Sequence, residues 1–208
     1  MEIKNTVEEL PLAYISEYKV TPEECERVVR EINKTAKMRI LVLLGSPHAN
    51  GNTAALVDAF NRGATEAGHE VNVVNVAKKH INGCLACGYC RGKGEGQCIQ
   101  DDGMQEVYPL LRKAQIIVFA SPIYYFTMSG QIQSAISRIY SMQKPPLVQQ
   151  LAMLLSSYSP NVYDAAKAQL RDMANYFGAK VAGVVTADNS ENLTEAKLQE
   201  AYNFGRNL

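Results

Sequence analysis

The chain has 208 residues, 47% of them hydrophobic and 20% charged, an ordinary globular balance that excludes disordered, fibrous and low-complexity classes. Lys and Arg total 21, Asp and Glu total 21, and the formal net charge is zero; this argues against a nucleic-acid partner, whose binding rests on a basic excess, and no polybasic run marks a membrane face. No apolar run approaches the roughly 20 residues of a membrane helix, and the start Met1-Glu2-Ile3-Lys4-Asn5 lacks the basic-then-apolar pattern of a secretion signal, so a cytoplasmic protein is expected.

Residues 1–37 are polar and differ in texture from the rest of the chain. Thr21-Pro22-Glu23-Glu24 reads as a helix start, with a capping threonine, a proline at the first helical position and a glutamate placed for a capping box. Val28, Val29 and Ile32 supply a thin apolar stripe. This predicts an N-terminal extension with one helix, carrying Cys25 as a spectator, ahead of a main domain over 38–208. In that domain, Arg39 to Leu44 is a nearly continuous apolar run, as expected of a strand buried on both faces. Val71 to Val76, Ile116 to Ala120, Leu151 to Leu155 and Val181 to Val185 repeat the pattern. Helical periods fill the gaps: Thr53 to Ala67, Met104 to Ala114, Gln131 to Met142, Asp164 to Phe177 and Leu193 to Phe204. Strict alternation of strand and helix predicts a doubly wound parallel α/β sheet. In such sheets ligands sit outside the carboxyl ends of the strands, so chemistry is sought in the loops just beyond them.

The first such loop is Gly45-Ser46-Pro47-His48-Ala49-Asn50-Gly51-Asn52-Thr53. Its backbone N–H groups and the adjoining helix start can form an anion site, with Ser46, Asn52 and Thr53 as neutral donors. It is not a nucleotide P-loop: five residues separate Gly45 from Gly51, and Asn52 stands where a lysine is required. The competing reading is an ordinary turn with an Asn or Thr cap.

After the second strand come Cys84, Cys87, Cys90 and Cys98 in a glycine-rich segment. Three thiols at two-residue intervals can point into one turn, and Gly92, Gly94 and Gly96 let the chain fold back to bring in Cys98. Four thiolates suit a [4Fe–4S] cluster, with Lys78, Lys79, Arg91 and Lys93 to offset its charge. Structural zinc and free thiols are the other readings. Asp101-Asp102 reads as a cap for the next helix rather than a catalytic dyad. His69, at a helix end, reads as a surface residue.

The third strand runs into Ser121-Pro122-Ile123-Tyr124-Tyr125-Phe126. Three consecutive aromatics at a strand end suit a flat aromatic ligand or a loop buried by another subunit. Ser156-Ser157-Tyr158 comes after the fourth strand at the same edge.

The GSPHANGNT loop, CLACGYC with its later cysteine, DDGM and SPIYYF, in this order, resemble the NAD(P)H-dependent FMN reductase family, and more narrowly its iron–sulfur flavoprotein branch. The resemblance covers about residues 38 to 204. It implies a flavodoxin-like five-stranded sheet in the order 2-1-3-4-5. It implies that Ser46, His48, Asn50, Asn52 and Thr53 cradle the FMN phosphate, that Pro122, Ile123, Tyr124, Tyr125 and Phe126 border the isoalloxazine, and that Ser156, Ser157 and Tyr158 approach the ring from the next strand. Relatives often carry Arg near the position of His48, which leaves the cationic phosphate partner open. The implied activity is an FMN-dependent oxidoreductase using NAD(P)H, with a small molecule or protein as acceptor. The alternative is an iron–sulfur flavoprotein or flavodoxin-like carrier acting with ferredoxin. No catalytic side chain is singled out. The resemblance also implies a homodimer or homotetramer, to which the extension and the segment around Tyr140, Met142 and Pro145-Pro146 would contribute.

Overall fold

The computed structural model describes Thr21, Glu23, Glu24 and residues 37–208. The chain divides into two units, Met1–Lys37 and Met38–Leu208. In the first, the expected capping box is present: the Thr21 N–H donates to Glu24 Oε2 at 2.9 Å, and the Glu24 N–H donates to Thr21 Oγ1 at 3.2 Å. Pro22, Cys25 and the stripe of Val28, Val29 and Ile32 lie outside the described residues.

The second unit is a sheet flanked by helices. Its strands are β1 (Arg39–Leu44), β2 (Glu70–Asn75), β3 (Ile116–Tyr124), β4 (Thr127–Met128), β5 (Gln150–Ser156) and β6 (Lys180–Ala187). Its helices are α1 (Asn52–Glu66), α2 (Tyr108–Lys113), α3 (Gly130–Arg138), α4 (Asp164–Phe177) and α5 (Glu195–Arg206). The five long strands are parallel in the order β2-β1-β3-β5-β6. Counted among themselves they have the flavodoxin-like order 2-1-3-4-5. The sequence reading lacks only β4, which pairs antiparallel with the end of β3.

Alternate strand residues feed two cores, as the period of two requires. Leu41, Leu43, Ile117, Phe119, Leu151 and Met153 pack with α2, α3 and α4 on one face. Ile40, Val42, Val118, Ala152 and Leu154 pack with α1 and α5 on the other. α1 and α5 touch backbone to backbone: a Cβ on Gly63 would sit 2.0 Å from Tyr202 O, and one on Gly205 would sit 2.2 Å from Phe60 O.

Three expectations change. The helix expected over Met104 to Ala114 is split into a 3-10 turn, Gly103–Glu106, and α2. Pro109, near the start of α2, has no N–H to continue a single helix. The helix expected from Gln131 to Met142 is α3 and then a 3-10 turn, Ile139–Met142. His69 is not on the surface: it is buried and its Nδ1 accepts the Met38 N–H at 3.1 Å. That burial holds its pKa below the usual histidine value.

Candidate functional site

β1 ends where Gly45 passes under α3. A Cβ there would lie 2.7 Å from Ile132 Cβ and 2.8 Å from Ser129 Oγ, so only glycine fits without displacing buried atoms. The Gly45 N–H donates to Ala120 O at 2.7 Å, and its carbonyl accepts from Ser129 Oγ at 2.7 Å. The loop is thereby fixed to the end of β3. Asn75 Nδ2 donates to Ser46 O at 3.0 Å and ties it to β2 as well.

The loop leads into α1, whose cap is Gly51 and not the Asn or Thr of the competing reading. Gly51 is extended and offers no side-chain cap, and the first turn carries no acid. The N–H groups at that helix start therefore keep their capacity for an anion. Ser46 and Thr53 are buried beside them, Asn52 is half-buried, and His48 and Asn50 are exposed. Thr53 Oγ1 and Ser156 Oγ share a hydrogen bond of 2.6 Å across 103 residues of sequence. The β1 loop and the end of β5 are thus tied together.

β3 overruns its expected end at Ala120 and carries Pro122 into register with Ser156. It then reverses through Tyr125 and Phe126, with Tyr124 opposite Thr127. Both turn residues have positive φ, +46° and +67°, the conformation of a two-residue type I′ hairpin that normally selects Asn-Gly. Tyr125 is 97% exposed and Phe126 61%. Bulky residues are thus held left-handed in water, with no core packing to repay the cost. Tyr125 and Phe126 line, with Ile123, Val162 and the Ser157–Ser159 loop, a crevice of about 200 Å³. The far wall is braced: Ser157 Oγ meets Tyr163 OH at 2.6 Å and donates to Ser159 O at 2.7 Å. Asn192 Nδ2 donates to Ser157 O at 3.0 Å. The structure therefore brings Ile123, Tyr125, Phe126, Ser157 and Tyr158 together, with Pro122 and Ser156 directly behind and Tyr124 exposed beside them.

The four cysteines line a second cavity, of about 350 Å³. Gly88 and Gly96, with φ of +72° and +87°, provide the reversals that return Cys98 to the other three. All four are free. They share the cavity without converging: among the described residues no three Cys, His, Asp or Glu stand close enough to hold a metal ion. The cation at this cavity is none of the four lysines and arginines expected from the sequence. It is Arg138, at the end of α3, 1% exposed and paired with Asp102 at 2.6 Å. Asp102 also caps the 3-10 turn as expected, accepting the Met104 N–H at 3.0 Å. Arg91 lies instead over the Tyr140 ring, 4.2 Å from its centroid. Burial pushes the Cys98 thiol up, but the Gln100 N–H and the Arg138 guanidinium outweigh it and hold the thiol below its usual range. Sequence reasoning missed Arg138, because nothing local marks a buried arginine whose partner lies 36 residues away.

An iron–sulfur flavoprotein of Archaeoglobus fulgidus is 36% identical over 102 residues, covering 49% of this chain and 46% of that protein. One from Methanocaldococcus jannaschii is 38% identical over 101 residues, covering 49% and 50%. The chain thus spans about half the length of these curated relatives. Among solved structures, the NAD(P)H:quinone oxidoreductase of Methanothermobacter marburgensis aligns with a TM-score of 0.65 at 17% identity, covering 83% of this chain and 96% of that one. An azoreductase of Bacillus anthracis aligns at 0.60 and 14%, covering 82% and 100%. These two share the fold. Among the described residues no helix is long and apolar enough to cross a membrane. The profile of the NADPH-dependent FMN reductase family matches residues 38–192, and the chain belongs to that family.

Proposed function

We propose that this chain is an FMN-dependent oxidoreductase that passes electrons from NAD(P)H, through FMN at the carboxyl edge of the sheet, to a small-molecule or protein acceptor. The observation that carries this reading is the Thr53–Ser156 hydrogen bond of 2.6 Å. It joins an uncapped helix start to the crevice edged by Tyr125, Phe126 and Tyr158, so an anion site and an aromatic slot become one elongated site. Ser46, Asn52, Thr53 and the first N–H groups of α1 suit the phosphate, with His48 and Asn50 at its exposed rim. The helix dipole supplies positive potential where a lysine is lacking. Pro122 to Phe126 and Ser156 to Tyr158 suit the two sides of the ring. Bound there, FMN would supply the redox chemistry, two-electron exchange with a nicotinamide and one- or two-electron exchange with an acceptor. The chain's own work is binding, orientation and exclusion of water.

Cys84, Cys87, Cys90 and Cys98 are the right donor set for a [4Fe–4S] cluster, and the thiols would have to draw together to hold one, since no three of them stand within reach of a single metal ion among the described residues. Their thiols share one cavity, and the Arg138 side chain that lines it has a buried Nε without a partner. Such a cluster would add one-electron transfer, and ferredoxin would then be a natural partner. Four free thiols side by side also suit a reducing compartment such as the cytoplasm.

The test is to load the chain with FMN, remove oxygen, and add NADH or NADPH. Bleaching of the flavin band is expected, with recovery of the band when a quinone or nitroaromatic acceptor is then added. Bleaching by dithionite but by neither nicotinamide would overturn the reductase reading and favour an electron carrier.

A further inference from the structure

Arg138 is the largest fully buried side chain of the described residues, and it joins the two ends of the cysteine segment. Its Nη1 donates to Asn82 O at 3.0 Å, just before Cys84, and to Asp102 Oδ2 at 2.6 Å, just after Cys98. Its Nη2 reaches Gln100 O at 3.4 Å. Asp102 Oδ2 also accepts the Asn82 N–H at 3.1 Å, so the two ends are bonded through one carboxylate as well as one guanidinium. A planar fork with several donors can hold these acceptors at once; a lysine ammonium cannot match that pattern. A buried ion pair seldom stabilises a fold more than apolar residues of the same volume would, so the pair calls for another explanation. Two further observations point to the cavity. Arg138 lines it together with all four cysteines, and its Nε is buried with no hydrogen-bond partner. A buried charged donor left unpaired is expensive unless something else receives it.

We propose that Arg138 is the positioning residue of the cysteine centre: it ties together the two ends of the segment that carries the four thiols and keeps one donor for the sulfur-rich group they would hold. The proposal rests on the reading of the four cysteines as cluster ligands. Outer-shell partners of this kind orient the ligands, and their hydrogen bonds and charge favour the more reduced, more negative state of the centre.

The experiment compares three chains purified without oxygen: wild type, R138K, and the double variant D102N/R138M. The first variant keeps a cation against Asp102. The second removes both charges together and avoids a lone buried carboxylate. FMN content, set by residues of the other site, reports that the fold is intact. Iron affinity is read by competition with a chelator, and the potential of the iron centre by a redox titration monitored by electron paramagnetic resonance. Wild type is expected to hold about four irons per chain. Both variants are expected to bind iron about 10- to 100-fold more weakly, and the centre that remains is expected to titrate at a lower potential. Wild-type affinity and potential in both variants would overturn the role of Arg138 and leave the cluster reading standing. A wild-type chain that holds FMN but no iron would overturn the cluster reading, and the role of Arg138 with it.

Discussion

Replacing Tyr125-Phe126 by Asn-Gly separates stability from function in one variant. The two residues have φ of +46° and +67°, and a left-handed conformation costs about 1–2 kcal/mol for each non-glycine residue. Asn and Gly adopt this turn readily, although glycine returns about 1 kcal/mol as extra freedom of the unfolded chain. The rings themselves contribute little to the unliganded fold, since Tyr125 is 97% exposed and Phe126 61%. The variant Y125N/F126G should therefore be more stable without FMN, by about 1–2 kcal/mol, which for a chain of this size raises Tm by roughly 2–8 °C. The same change removes the aromatic side of the crevice. Aromatic stacking contributes about 0.5–1.5 kcal/mol per pair beyond burial, so FMN affinity should fall by roughly 5- to 150-fold. The assays are thermal melting of FMN-free protein and titration of FMN fluorescence. Lower stability together with unchanged FMN affinity would refute both the strain argument and the placement of the ring.

Other consequences are as specific. T53V removes the hydroxyl bonded to Ser156 at 2.6 Å; FMN binding should weaken by at least about tenfold while flavin-free stability falls by about 1–3 kcal/mol, read by titration and urea unfolding. G63A drives a Cβ to within 2.0 Å of Tyr202 O and should destabilise the fold by about 1–3 kcal/mol or more, seen as a lower denaturation midpoint with no change in the flavin spectrum per folded chain. The lowered pKa of buried His69 means that the unfolded chain binds its proton first. Its contribution is fully present above about pH 6.5 and is lost as pH falls toward the folded-state value. H69Q should flatten that segment of the stability–pH curve.

Much of this was legible in the sequence for physical reasons. Strands buried on both faces read as continuous apolar runs, so Arg39 to Leu44 and Ile116 to Ala120 declared themselves, and strict alternation with helices left few topologies. Of the glycines expected to return Cys98 to the cavity of the other three cysteines, only Gly96 makes a left-handed reversal, and Gly88 makes the other; the capping pattern at Thr21 and Glu24 is met on both sides. The features that stayed hidden are set by distant contacts or by broken local rules. Tyr125-Phe126 carries no turn signal, since neither residue favours positive φ, and β4 was invisible for that reason. His69 comes directly after Gly68 at a helix end, and the segments that meet it there, at Met38 and at Leu208, lie far away in the sequence. Arg138 looks like the basic residue that ends a helix; Asp102 looks like a cap. Only the fold makes them an ion pair at the cysteine cavity.

The most direct test of the central claim is the visible absorption spectrum of the chain purified without oxygen, with iron and acid-labile sulfide assayed on the same sample. Flavin bands together with about four irons per chain are predicted. A colourless chain that stays colourless after FMN is added would contradict the account.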